Sequence, residues 1–199
     1  MEPFEIIAAP FTVWVAPVGT AFPLINVAPA APWVLLGTRG NFNYSEDGVT
    51  VTHEEEIEEL RMLGATGPIT ARRVSEGCVV GLTMHDLTLE QYLHILEHQT
   101  LTTVAAGTGI AGHRSIGLSR GTTVRQRALL VRGPSPYGAG WNMQYELARG
   151  FFRSEAEVVY QKGEPAGLEL QFVSLVNLAT STPEHQQLGV LRAQHAAPL

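Results

Sequence analysis

The stretch from Asp47 to Leu63, DGVTVTHEEEIEELRML, constrains the fold more than any other part of this chain. It begins with the alternation of a strand, since Val49, Val51 and His53 fall on one side and threonines fall on the other. The glutamate run that follows is too acidic for a core, because like charges gain nothing from burial. Two structures remain open: an exposed acidic helix from about Glu54 to Leu63, or an acidic arm that leaves the domain body and meets a partner.

The residues after this stretch favour the arm. Gly67 and Pro68 form a turn signal, and the segment from Ile69 to Val80 then returns towards the body. This order predicts a long hairpin with a broad tip over about residues 48–75. The carboxylates assigned to an inter-subunit or lumen-facing role on it are Glu54, Glu55, Glu56, Glu58 and Glu59.

Charge is unevenly distributed along the chain. Seven acids and no Lys or Arg lie between Glu46 and Glu59, whereas five Arg and no acid lie between Arg114 and Arg132. Such blocks attract each other within one fold or between copies, or they remain two separately solvated patches. The net charge of -6 argues against a grip on nucleic acid, but it is compatible with a surface past which DNA slides.

The composition predicts a chain with much subunit contact. Hydrophobic residues make up 45% of the 199 residues and charged residues only 16%, which is unusually apolar for a freely soluble monomer. No apolar run reaches the roughly 18 residues that a membrane-spanning helix needs, and the N-terminus lacks a basic start, so we expect no membrane insertion and a cytoplasmic origin. Cys78 is the single cysteine, which excludes an intrachain disulfide and predicts a buried apolar side chain.

Most other segments predict strands within one domain of residues 1–199. Residues 1–36 predict an extended, proline-stiffened segment anchored by Trp14 and Trp33, and residues after Thr180 predict a flexible tail, helical in part over His185 to Gln194 or loose. The predicted strands are 11–15, 77–84, 122–131, 141–148, 156–161 and 168–176, with the last two joined as a hairpin by KGEPAG. No internal repeat or domain boundary is evident.

One helix is predicted, over about residues 88–98. Thr88 and Gln91 have the spacing of a capping box. At 100° per residue the apolar side chains form one stripe, which should pack on a sheet. The stripe consists of Leu89, Tyr92, Leu93 and Leu96, and the face expected to point outwards consists of Glu90, Gln91, His94, Glu97 and His98.

Residues 107–112, GTGIAG, match the spacing of a dinucleotide-binding loop. That loop functions only when a helix begins at once and an acid follows about 20 residues later. Neither condition is met, because HRSIGLSRG follows and the expected interval contains Leu129, Leu130 and Arg132. A glycine loop without a cofactor is therefore favoured.

Residues 94–98, HILEH, match the inverted zinc-protease pattern H-x-x-E-H. His94 and His98 would share one helix face as ligands, and Glu97 would act as a base. The helical wheel instead puts both histidines opposite the apolar stripe, which favours a solvated polar face. No other catalytic constellation is evident, so the sequence predicts no enzyme, no metal and no cofactor.

Taken in order, the segments resemble the major tail tube proteins of long-tailed, siphovirus-type bacteriophages. The resemblance covers most of residues 11–178, and each element alone has low specificity. The residues that carry it are VWVAPVGTAFP (13–23), APWVLLG (31–37), EDGVTV (46–51), GATGPI (64–69), LTLEQYLHIL (87–96) and the C-terminal EAEVVYQKGEPAGLELQFVSLVN (155–177).

The resemblance implies a mainly β fold: an antiparallel β-sandwich or partly closed barrel with one flanking helix and a long arm. It implies six copies per ring, stacked rings around a DNA channel, and a virion tail assembled in the host cytoplasm. Tape-measure and tail-terminator proteins would be further partners. The acidic arm would then meet a neighbouring subunit or line the channel, and Arg114, Arg120, Arg125 and Arg127 are the candidate basic partners between subunits.

Two alternatives belong to other classes. The first is a β-sandwich binding module that recognises carbohydrate or protein through exposed aromatic side chains such as Tyr137 and Trp141. The second is a zinc hydrolase that uses His94 and His98. Three observations distinguish these functions. A tube subunit would form polymers on sizing, a binding module would be a monomer that binds a glycan, and a zinc hydrolase would contain stoichiometric metal.

Overall fold

The computed structural model describes residues 5–96, 100–153, 158–179 and 181–198. Within them the chain is mainly β, with ten strands and one α-helix, α1 (Leu89–Leu96), as the sequence predicts. The strands are β1 (Thr12–Pro17), β2 (Val34–Leu35), β3 (Tyr44–Leu60), β4 (Thr70–Met84), β5 (Thr102–Val104), β6 (His113–Ser115), β7 (Arg127–Pro134), β8 (Asn142–Arg153), β9 (Leu168–Ser174) and β10 (Val190–Ala193).

Eight strands form one antiparallel sheet in the order β2-β1-β7-β8-β9-β4-β3, with β10 paired to β8. β5 and β6 form a separate two-stranded sheet. β2 and β3 lie at the two ends of the order and do not pair with each other, so the described strands form no closed barrel. The predicted antiparallel, mainly β class is thus confirmed.

β9 and β10 occupy the same edge of β8, one after the other. Gly150 of β8 pairs with Ser174 at the end of β9, and Glu146 pairs with Val190 at the start of β10. Residues 175–179 and 181–189 lie outside the sheet between them. On its other edge β9 pairs with β4 over residues 79–84, whereas β10 has no second partner among the described strands.

The core forms where alternating apolar side chains of several strands meet. In β9 the residues Leu168, Leu170 and Phe172 are fully buried, whereas Glu169 and Gln171 between them are exposed. Phe172 packs edge-on against Phe152 with ring centroids 5.3 Å apart. Cys78 is buried in this core, as predicted.

The proline-rich segment between β1 and β2 is fixed by tryptophan packing and by polar side chains of the sheet. Trp33 is buried, lies 5.1 Å from Phe22 between ring centroids, and donates from Nε1 to the carbonyl of Ala21 at 3.0 Å. Side chains of β7 and β8 also donate to carbonyls of this segment: Arg132 to Ile25 and Val27, Asn142 to Ile25, and Gln144 to Pro23. Anchoring by Trp33 agrees with the prediction.

The start of α1 differs from the predicted capping box. Asp86 accepts from the backbone N–H of Thr88 at 3.2 Å and from that of Thr38 at 2.8 Å. Gln91 is buried and its Oε1 accepts from the N–H of Gly37 at 3.0 Å. The predicted outward orientation of Gln91 is wrong because its amide satisfies a buried backbone group of a distant loop. The helix end predicted at residues 97 and 98 lies outside the described residues.

Two further predictions near the C-terminus are wrong. Residues 158–161 form no strand. One edge of β9 is paired with β8 and the other with β4, so β9 has no free edge for the predicted hairpin partner. The tail predicted as flexible or partly helical contains β10, held by backbone pairing to β8 and by Arg192. Asp47 and Gly48 lie at an irregularity inside β3, where Gly48 has a φ of 69°.

Candidate assembly surface: the arm, its polar face and the cleft at its base

The acidic stretch is a strand that pairs with β4 over its whole length. The register runs from Val49 opposite Leu82 to Leu60 opposite Thr70. The alternative of an acidic helix from Glu54 to Leu63 is therefore wrong, and the hairpin is longer than the predicted residues 48–75. We use the name "arm" for residues 54–76, the part of the hairpin that extends beyond β9.

The arm is exposed on both faces and ends in an apolar tip. All five candidate carboxylates, from Glu54 to Glu59, are exposed. At about 3.4 Å per residue, its seven-residue outgoing strand is roughly 24 Å long. Six large apolar side chains of the arm are exposed: Ile57, Leu60, Met62, Leu63, Ile69 and Val74. Exposed apolar side chains in this number are unfavourable in water unless a partner covers them.

A β-bulge in the arm brings an arginine onto its acidic face. Glu56 pairs with Ser75 and Ile57 pairs with Arg73, which leaves Val74 as the extra residue. Arg73 therefore reaches the face of Glu55 and Glu76, with its Nη2 2.9 Å from Glu55 Oε2. Its Nη1 lies 3.8 Å from Glu76 Oε2. The arm carries six Glu and three Arg, so it remains negative after this internal pairing.

One face of the sheet next to the arm is polar and open to solvent. Thr50, Thr52 and Glu54 of β3 lie beside Glu169 and Gln171 of β9 around a shallow groove of about 290 Å³. Leu170, which lies between Glu169 and Gln171 in β9, is buried on the opposite side of the sheet, where it joins Val80 and Phe172 in the core. Because of this alternation, the polar face of the sheet continues from β9 and β3 into the acidic arm.

A cleft of about 840 Å³ lies between the base of the arm and the C-terminal segment. Its arm side carries His53, Glu54, Glu55, Arg73, Glu76, Gly77 and Cys78, and its C-terminal side carries Glu184, His185, Leu188, Gly189, Val190 and Leu191. Tyr145 and Leu147 of β8 complete it. The cleft forms because β4 extends beyond the end of β9. In that region β10 is paired with β8 and not with β4.

The candidate basic partners already take part in interactions within the chain. Arg114 pairs with Glu90 of α1. Arg120, Arg125 and Arg127 also interact within the chain. The structure contains one chain, so their predicted role between subunits stays a prediction. Among the described residues, Arg61 contacts Glu59 of the arm and Arg73 contacts Glu55 and Glu76.

The histidine of the zinc-protease pattern is not on a solvated face. His94 is half-buried, and burial, with a smaller contribution from the positive charge of Arg127, lowers its pKa to about 4. The predicted solvent-side position of His94 is therefore wrong. Glu97 and His98 lie outside the described residues. Within the described ranges, no group of three or more potential ligands is placed to hold a metal ion.

The glycine loop of residues 107–112 connects β5 to β6 through a turn in which Gly107 and Ile110 bridge each other. The strand β6 follows it, whereas a dinucleotide-binding loop is followed at once by a helix. Of the two aromatic side chains assigned to the binding-module alternative, Tyr137 is exposed, whereas Trp141 is half-buried and packs against Gly138.

Sequence reasoning missed the cleft and the arginine of the arm. In the returning strand Arg72 lies opposite Glu58 and Arg73 lies opposite Ile57, and the charge of these two residues next to a glutamate run is the signal that the sequence contains. The cleft has no local signal, because it depends on the division of one sheet edge between β9 and β10.

Comparison of the chain with models of protein families and with curated proteins finds no match. Within residues 5–96, 100–153, 158–179 and 181–198, no helix has the length and apolar composition needed to cross a membrane.

Proposed function

We propose that this chain is a structural subunit that assembles with copies of itself into stacked rings, forming a tail tube through which phage DNA passes. The number of copies per ring, six, and the partners at the tube ends, tape-measure and tail-terminator proteins, follow from the resemblance of the sequence alone. The role is non-catalytic, and its location is the tail of the virion.

The observation that carries the proposal is the arm. Its residues 54–60 and 70–76 pair only with each other among the described strands, and its tip exposes apolar side chains such as Met62 and Leu63. A two-stranded hairpin is marginally stable in water by itself. A long arm with a charged shaft and an apolar tip therefore fits a segment that is completed by a neighbouring subunit.

The edges of the main sheet support the same proposal. β3 is a terminal strand of seventeen residues, and at the other end β2 covers only Trp14 and Val15 of β1. Long exposed edges are prone to uncontrolled pairing unless another strand covers them. Edge-to-edge pairing of copies in a closed ring removes these edges.

The charge of the open polar face suits a channel for DNA. Glu54 and Glu169 border the same groove, and Thr50, Thr52 and Gln171 provide neutral polar groups beside them. A negative wall repels phosphates, so DNA passes without being held. On this proposal the polar face points into the channel and the apolar side chains pack in the wall.

Sedimentation velocity over a series of protein concentrations tests the proposal. We expect rings and longer polymers that grow with concentration and that persist at the ionic strength of a cell. A sedimentation coefficient of a 21.6 kDa monomer at every concentration would contradict the proposal. A monomer that binds an immobilised glycan through Tyr137 would support the binding-module alternative instead.

A further inference from the structure

The two walls of the cleft are formed by strand edges that pair with no second strand among the described residues. In β4, residues 70–78 pair with β3 on one side, but pairing with β9 begins only at Val79. In β10, residues 190–193 pair with β8 on one side only. Within the described chain, residues 73 and 76–78 of the first edge and residues 190 and 191 of the second line the same cleft. Two strand edges that border one cleft offer a site for an added strand.

The lining of the cleft defines the chemistry of such a strand. Apolar groups come from Leu147, Leu188 and Leu191, which can receive aliphatic side chains. The charged lining consists of four carboxylates and one guanidinium: Glu54, Glu55, Glu76, Glu184 and Arg73. An extended segment with aliphatic and basic side chains, and without acids, is complementary to this lining.

Residues 117–126, GLSRGTTVRQ, have these properties. They carry two arginines and no acid, and every one of them is exposed, including Leu118 and Val124 at 78% and 56%. In the part of the chain that the structure describes, they belong to no strand, and Ser119, Arg120 and Arg125 make contacts within the chain. A segment of this kind gains backbone hydrogen bonds and covers apolar area when it joins a strand edge.

We propose that the cleft of one subunit receives residues 117–126 of a second copy as an added β-strand between β4 and β10. This inference rests on the proposed self-assembly and identifies one of its contacts. Arg120 and Arg125 already interact within the chain, so docking exchanges those interactions for the carboxylates of the cleft. The segment is the exposed basic stretch that leads into β7, which is why it is assigned as the occupant.

The positions of segment and cleft favour a repeating contact. The segment enters β7 at Arg127, opposite Gly150 of β8, on one edge of that strand. The cleft lies along the other edge of β8, near Tyr145 and Leu147. A contact between two different surfaces of identical copies is heterologous, and it produces a ring when the rotation closes and a filament when it does not.

A synthetic peptide of residues 116–126 tests the docking without requiring a polymer. Binding of the fluorescent peptide to the full chain is measured by anisotropy, at a protein concentration below that of assembly. We expect saturable binding, weakened about tenfold or more when both arginines of the peptide are replaced by Glu, which corresponds to about 1.4 kcal/mol. Equal binding of the two peptides would overturn the charge complementarity on which the proposal depends.

Matched variants locate the peptide. Leu191→Arg changes an exposed wall residue of the cleft, and Leu178→Arg changes an exposed leucine outside its lining. We expect about tenfold weaker peptide binding for Leu191→Arg and unchanged binding for Leu178→Arg, because one apolar contact and one charge are altered. Circular dichroism verifies that both variants fold. The same loss in both variants, or in neither, would overturn docking in the cleft.

Disulfide cross-linking tests the contact between whole subunits. In a Cys78→Ala background, copies with Leu118→Cys are mixed with copies with Leu191→Cys and oxidised. We expect covalent dimers of the mixed pair, and far fewer when Leu178→Cys replaces Leu191→Cys. Polymers without peptide binding and without this cross-link would overturn the cleft contact and leave the proposed assembly standing. Peptide binding to a chain that never polymerises would support the cleft contact and contradict the tube.

Discussion

Arg192 of β10 donates from Nε to Oε2 of Glu146 on β8 at 2.9 Å, and this pair fixes the C-terminal strand to the sheet. The side chain of Glu146 is only 7% exposed, whereas that of Arg192 is 56% exposed. Gln144 donates to the other carboxylate oxygen at 2.7 Å. The carboxylate is thus buried with two partners, and the arginine is one of them.

Removal of this arginine should destabilise the chain more than removal of the arginine in the arm. For Arg192→Met we expect a loss of about 1–3 kcal/mol in the free energy of unfolding, because a buried carboxylate loses its cation. Arg73→Met, which breaks a pair of the same 2.9 Å length with the half-exposed Glu55, should change it by less than about 0.5 kcal/mol. Urea unfolding of both variants measures the difference, and equal losses would contradict this account.

The pKa of His94 predicts a pH dependence of stability. Its pKa is lowered to about 4 in the folded chain from the ordinary value of 6.5, so the unfolded chain binds this proton more tightly. The stability linked to neutral His94 is complete above pH 6.5 and is lost as the pH falls towards 4. We expect His94→Gln to flatten the decline of unfolding free energy in this window, as measured by urea unfolding at several pH values. His113→Gln, which makes the same replacement at an exposed position, is the control variant.

The close approach of β8 and β9 predicts a strong effect of one methyl group. A Cβ at Gly150 would collide with the ring of Phe172 and the carbonyl of Val173. We expect Gly150→Ala to lower the midpoint of thermal unfolding, at a cost of about 1–3 kcal/mol or more. Gly67→Ala at the arm tip, where a Cβ meets no atom within 4 Å, should leave the midpoint unchanged. An unfolding midpoint of Gly150→Ala equal to that of the unaltered chain would contradict the close packing of Gly150 against Phe172.

The arm tip should control assembly without affecting the fold. Met62 and Leu63 are exposed in the single chain, so a double substitution by Ser should leave the unfolding midpoint nearly unchanged. We expect the same variant to lose polymers in sedimentation velocity, because the apolar contact with a neighbouring subunit is gone. Leu24→Ser, at an equally exposed site outside the arm, is the control. Polymers that persist in the arm variant would exclude the tip from the interface.

The sequence predicts those elements whose pattern is local. The alternation from Val49 to His53 identifies β3, and the alternation of Leu168, Leu170 and Phe172 with polar residues identifies β9. The turn at Gly67 and Pro68 follows from residue chemistry. Each of these features depends on neighbours within a few residues, which is why a single sequence reveals them.

Features that depend on distant partners could not be predicted. Gln91 is in a polar helical position, and only the nearby N–H of Gly37 explains its burial. The strand β10 is four residues long and exists because β9 leaves an edge of β8 unpaired. The cleft forms because β9 and β10 share one edge of β8, and no local pattern in the sequence indicates this arrangement.

Negative-stain electron microscopy of the concentrated chain tests the central claim most directly. The account predicts rings with a central channel, seen end-on with six repeating units, and stacks of such rings seen from the side. The Met62→Ser and Leu63→Ser double variant should give few or none of them at the same concentration. A field of separate small particles from the unaltered chain, with neither rings nor stacks, would contradict the claim that this chain builds a tube.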